Sequence, residues 1–112
     1  MTENYTIIDM VVDAHETALE KGWWRGNVNI PEKLALVHSE TSEALEDFRN
    51  GNMKLNIRDV DGKPEGFATE LADIVIRVAD LCGYLGIDLE YAILVKMEYN
   101  KSRSFRHGGK KA

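Results

Sequence analysis

Between Phe67 and Cys82 the chain reads FATELADIVIRVADLC, and this stretch limits the fold more than any other. At about 100° per residue on an α-helix, apolar or small side chains cover nearly the whole circumference, while Glu70, Asp73, Arg77 and Asp80 share one sector about 80° wide. A helix apolar on almost every side predicts burial, so its polar stripe is expected to be enclosed as well. Enclosed carboxylates at this spacing need a cation, either Arg77 or a metal ion, because an unpaired buried charge is prohibitively costly.

The rest of the 112-residue sequence supplies three more helical segments and no competing pattern. Ile7, Met10, Val11, Ala14 and Ala18 recur at three- and four-residue steps and predict a helix that ends at Gly22 after Lys21. A second begins near Asn29, which caps it, with Pro31 in the first turn and Glu32 at the capping-box position. It stops at Asn50-Gly51, with Leu34, Val37, Ala44, Leu45 and Phe48 as its core face. The polar stretch from Gly51 to Lys63 carries an Asp61-Gly62 turn signal and reads as a loop, because one isolated strand around Met53, Leu55 and Ile57 would have no sheet to join. The third helix is expected from about Pro64 or Glu65 to Leu81 or Cys82, closed by Gly83 and Gly86, and the fourth from the Asp88 cap to around Arg103. The expectation is one all-α domain over 1–106 with a basic, flexible tail over 107–112.

A chain this short buries only somewhat more than about 60% of its unfolded surface, so a partner subunit would add stability. The net charge of −5, from 14 basic and 19 acidic residues, leaves no broad basic surface for nucleic acid or anionic lipid. The longest apolar stretches are interrupted by Arg77 and Asp80, and the amino terminus is polar and acidic, so neither a signal peptide nor a membrane span is expected. The single Cys82, in an apolar segment, reads as a buried thiol in a reducing, cytoplasmic setting.

The carboxylates fall in two pairs. On the second helix Glu40 and Glu43 are three residues apart and therefore neighbours, with Leu36 and Asp47 on the same strip. This mixed face suits packing against the third helix with the two acidic pairs opposed. A lone Glu-x-x-Glu is usually a solvated face. Two such pairs on adjacent helices supply an all-oxygen ligand set of the kind that hard divalent cations take, Mg²⁺ above all. The fourth helix carries the opposite charge. Its inward line begins with Leu89, Ala92 and Ile93 and continues as Lys96, Asn100 and Arg103, and residues 96–111 carry +5 while the rest of the chain carries −10. That line is either a helix end solvating its last turns, where cations are favoured, or a phosphate clamp.

These residues resemble the all-α nucleoside triphosphate pyrophosphohydrolases, in particular the MazG-like branch. The likeness covers almost the whole chain and rests on Ser39-Glu40-Thr41-Ser42-Glu43-Ala44, on Glu70-Leu71-Ala72-Asp73, and on Lys96-Met97-Glu98-Tyr99-Asn100-Lys101-Ser102-Arg103 leading into His107-Gly108-Gly109-Lys110. Each element is weak alone, and the three in this order are fairly specific. The resemblance implies a four-helix MazG-like subunit that forms helical bundles as a homodimer or homotetramer. It also implies Mg²⁺-dependent cleavage of a nucleoside triphosphate, often noncanonical or deoxy, to monophosphate and pyrophosphate, in nucleotide-pool house-cleaning, with Mn²⁺ a substitute metal. Carried over by position, Glu40, Glu43, Glu70 and Asp73 look like metal ligands and Lys96, Asn100 and Arg103 like triphosphate contacts. Glu43 is the first choice for the carboxylate that accepts a proton from the attacking water. The competing readings are a non-catalytic helical nucleotide-binding or oligomerisation module and a phosphoribosyl-nucleotide pyrophosphohydrolase.

Several residues stay open between roles. Trp23, like Trp24, lies where an aromatic ring can stack on a base, although paired tryptophans in a small helical protein more often fill a core or subunit interface. Asp80 orients a metal-bound water or anchors Arg77. His15 and His38 lie near apolar faces and read as satisfied interior histidines, and His107 belongs to the tail.

Overall fold

The computed structural model describes residues 4–103. It contains α1 (Ile7–Glu20), α2 (Ile30–Arg49), two-residue strands β1 (Asn56–Ile57) and β2 (Pro64–Glu65), α3 (Phe67–Leu85) and α4 (Leu89–Ser102). The architecture is all-helical apart from the small hairpin. The anticipated flexible tail and His107 lie outside the described residues.

Local chemistry accounts for the helix ends. Thr6 and Asp9 form a reciprocal capping box at the start of α1, a pair the sequence reading passed over. Asn29 accepts from the Glu32 amide at the start of α2, and Asp88 accepts from the Tyr91 amide at the start of α4. The ends of α3 differ from expectation. Pro64 and Glu65 lie in β2, where Ile57 pairs with Pro64 and Asn56 with Glu65, so α3 begins only at Phe67. The stretch assigned wholly to a loop thus contains a minimal hairpin, whose second strand comes from residues assigned to the helix.

At its other end α3 runs through Gly83 to Leu85, and Gly86 alone closes it in the left-handed conformation at φ 69°. Gly83 is a packing residue: a Cβ there would stand 2.5 Å from that of His15 on α1. It lets the two helices approach each other closely.

α3 is the centre of the chain, with α1 and α2 packed against it and α4 resting on α1. The core between α1 and α3 consists of Val11, Ala79 and Cys82, with Ile7, Met10, Ala14, Val78 and Leu89 against it, so the predicted α1 face is the one used. Cys82 is buried, and burial pushes its thiol up, which makes it a poor nucleophile at neutral pH. The Ile7 amide at the amino end of α1 donates to Glu90 at 3.2 Å and ties α4 to that end.

The predicted all-round burial of α3 is not found in the single chain. Leu71, Val75 and Ile76 are 40–48% exposed, and Leu34, Leu45 and Phe48, expected in the α2 core face, are exposed too. The reason is that, among the described residues, α1 and α2 are the helices packed extensively on α3, and they cover its polar stripe and one apolar flank. α4 buries no residue at all. No described helix is long and apolar enough to cross a membrane.

Candidate metal centre and the adjoining cleft

The seam between α2 and α3 carries the acidic residues. Ala44, 3% exposed, is small enough to bring the helices together one turn beyond Glu40. Glu40, Glu43 and Glu70 each place one carboxylate oxygen within 4.8 Å of the others, a spacing that a single divalent cation can bridge. Glu40 is buried, Glu70 is half-buried and Glu43 opens to solvent. Asp73, the fourth expected ligand, is half-buried on the same stripe but outside this close group.

The electrostatics are those of a crowded negative site. Burial, the facing Glu43 and the charges of Asp73 and Glu40 together push Glu70 up to about 7. Burial and Glu40 push Asp73 up as well, opposed by Arg77 and by Lys63, which the hairpin loop brings near. The Oε2 atom of Glu70 is buried without a hydrogen-bond partner. An orphaned carboxylate oxygen beside two more carboxylates is the condition a bound cation relieves, so the residues present fit a hard divalent metal.

One cation is already built in. Arg77 Nε donates to Glu40 Oε1 at 2.8 Å. The ion pair expected within the α3 stripe is not the one observed: Arg77 pairs across the seam with Glu40 on α2 and offsets one charge, while Glu43, Glu70 and Asp73 make no ion pair among the described residues.

Beyond Arg77 opens a cleft of about 360 Å³ lined by Trp23, Trp24, Lys33, Leu36, Arg77, Asp80 and Leu81. The two tryptophans differ in burial. Trp24 is buried and stacks on Tyr84 with ring centres 4.1 Å apart and planes 2° from parallel. Its indole Nε1 donates to Asp80 Oδ1 at 2.8 Å. Trp23 is 48% exposed, with the Arg77 guanidinium 6.0 Å from its ring centre. Lys33 donates to the Trp23 carbonyl at 2.7 Å and sits 4.3 Å from the centre of the Trp24 ring, which fixes the rim.

Asp80 does not anchor Arg77: its hydrogen-bond partners among the described residues are His15 and Trp24. Its Oδ1 lies 2.9 Å from His15 Nδ1 as well as accepting from Trp24, so it ties α1 and the tryptophan loop to α3. His15 is the satisfied interior histidine anticipated, whereas His38 is exposed on α2. This network was missed because His15, Trp24 and Asp80 are up to 65 residues apart. Its only sequence signal was an aspartate one step too far along an otherwise explained stripe.

The cationic line of α4 is not brought to the carboxylates within the described part of one chain. Lys96, Asn100 and Arg103 are exposed, and Lys96 and Arg103 lie 4.9 and 5.8 Å from the ring centre of Tyr99 rather than in any ion pair. Comparison with known protein-family models, curated proteins and solved structures finds no match to this chain.

Proposed function

We propose that this chain is the subunit of a Mg²⁺-dependent nucleoside triphosphate pyrophosphohydrolase, releasing monophosphate and pyrophosphate. The observation that carries the reading is the orphaned Glu70 oxygen among Glu40 and Glu43, next to a cleft with aromatic walls and cationic rims. Carboxylates suit a metal-bound polyphosphate, and a cleft of this size between indoles suits a planar base.

Each residue has a task that follows from its position. Glu40 and Glu70, the enclosed members of the group, hold the metal, with Asp73 one turn further along α3. Mg²⁺, when bound, offsets phosphate charge and acidifies a coordinated water. Glu43 alone of the close group faces solvent, so it is the carboxylate placed to accept the proton from that water. Trp23 offers an open indole face for the base, and Asp80 with His15 holds Trp24 rigid behind it.

The exposed apolar side chains of α3 and α4, among them Leu71, Val75, Ile76, Tyr91, Leu94 and Val95, support a homodimer or homotetramer, because large apolar side chains left open in such number suit an interaction surface. In such an assembly Lys96, Asn100 and Arg103 of one subunit meet the phosphates held by the carboxylates of another. This division of labour explains a site whose acids and bases do not meet within one described chain.

The observed Arg77–Glu40 pair favours a second reading, a non-catalytic helical module held by salt bridges. A panel of ribo- and deoxynucleoside triphosphates with Mg²⁺ separates the two. The enzyme releases pyrophosphate from at least one member, and Glu70→Gln lowers the release by about 10²- to 10³-fold. A module releases none, and its thermal unfolding is indifferent to Mg²⁺ with a nonhydrolysable triphosphate.

A further inference from the structure

Arg77 belongs to both parts of the site. Its Nε donates to Glu40 at the carboxylate group, and the same guanidinium lines the cleft beside Trp23. A guanidinium carries five N–H donors in a rigid fork. Only Nε is used here, so the four on the two terminal nitrogens have no partner among the described residues. The side chain is 33% exposed, so these donors are open to a ligand rather than sealed in the seam. Glu40 in turn accepts from Arg77 through Oε1.

This inference rests on the proposed function. A nucleotide whose base lies in the cleft and whose terminal phosphates lie at the carboxylates must pass Arg77, and the group at that junction is the phosphate next to the sugar. We propose that Arg77 binds this phosphate through its terminal nitrogens while its Nε holds Glu40 in place, so that one side chain sets the distance between the base cleft and the metal centre. The fork matches phosphate oxygens better than an ammonium does, and charge-assisted hydrogen bonds of this kind are about twice as strong as neutral ones. Lys33 lines the same cleft but is held at its rim, with one of its three N–H donors on the Trp23 carbonyl and its ammonium over the Trp24 ring.

The test is equilibrium binding in Mg²⁺ of three probe sets to the full chain and to Arg77→Gln and Arg77→Lys. The probes are α,β-imido analogues of the common deoxynucleoside triphosphates, the matching monophosphates and the matching nucleosides. Arg77→Gln is expected to weaken monophosphate and triphosphate-analogue binding about tenfold or more and to leave the nucleoside unchanged, with Arg77→Lys between. Equal losses for nucleoside and monophosphate overturn the proposal by assigning the guanidinium to the base, and no loss overturns it by confining Arg77 to Glu40. If Arg77→Gln does not fold, Glu40→Gln/Arg77→Gln removes both partners of the ion pair together, and retained monophosphate affinity in that variant is equally fatal. A parent protein that binds no triphosphate analogue overturns the proposed function first, so the two failures are distinguishable.

Discussion

The α2–α3 seam and the helix α4 carry opposite charge and receive opposite support from the fold. The seam is acidic and enclosed: Glu40 is buried, Glu70 has an oxygen sealed from solvent, and the nearest cations, Arg77 and Lys63, offset only part of the charge. α4 is basic toward its carboxyl end and open. Tyr91 and Leu94 are 66% and 60% exposed, and among the described residues Lys96 and Arg103 find only the ring of Tyr99. An enclosed acidic group without enough cations and an exposed cationic helix without enough contacts are incomplete in complementary ways. The assembly proposed above would bring the two together.

The largest effect expected from disturbing this contrast is at the seam. Glu70→Gln keeps the shape and removes the charge, and pyrophosphate release should fall by about 10²- to 10³-fold. The same variant should unfold at a higher temperature than the parent at pH 8 without Mg²⁺, because one of several crowded charges is gone, and it should gain less from added Mg²⁺. Differential scanning fluorimetry reads both. On the other side, Leu94→Asp places a charge in the open apolar face of α4. The parent is expected to sediment as a dimer or tetramer at micromolar concentration and this variant as a monomer; a parent that is already monomeric breaks the complementarity outright.

Smaller effects test the charges themselves. Lys96→Met and Arg103→Met should each raise KM for the triphosphate about tenfold with less effect on kcat, as loss of a phosphate contact does. Unchanged kinetics would make the α4 cations idle. The pH dependence follows from Glu70, raised by burial and by Glu43 to about 7 from an ordinary value near 4.5. In the metal-free protein this group's contribution to stability is fully present below about 4.5. It is lost as pH rises through about 7, because the folded state binds the extra proton. Metal binding must displace that proton, so Mg²⁺ affinity should rise about tenfold per pH unit below 7 and level off above it. Isothermal titration in buffers of different ionisation enthalpy counts the proton released.

Much of this molecule is legible in the order of its residues, and the legible part is local. The three-to-four-residue recurrence of Ile7, Met10, Val11, Ala14 and Ala18, the caps at Asn29 and Asp88, and the polar stripe on α3 depend on neighbours within a turn or two. Helical geometry relates such residues at a fixed angle and rise. Glu40-x-x-Glu43 also faces Glu70-x-x-Asp73 as expected, with Glu40, Glu43 and Glu70 in close approach and Asp73 near Glu40, because a mixed face next to an apolar one leaves few ways to pack two helices. Gly83 shows where local rules mislead: read alone it terminates a helix, yet it lies within α3 because His15 needs the space.

Long-range placement was decided by the folded chain. Asp80 ties His15 and Trp24 together across 65 and 56 residues, and nothing in the periodicity of α3 names those partners. Arg77 turns out to bridge Glu40 and the cleft, and Lys63 to sit near Asp73, because helix crossings and the hairpin set those distances. The burial of α3 was misjudged for the same reason. An apolar circumference records that a helix requires neighbours on every side, while the single chain supplies neighbours on only some. Residue types and spacing set what each helix can bury and bind; which surfaces meet depends on contacts between distant segments, and those exist only once the helices have packed.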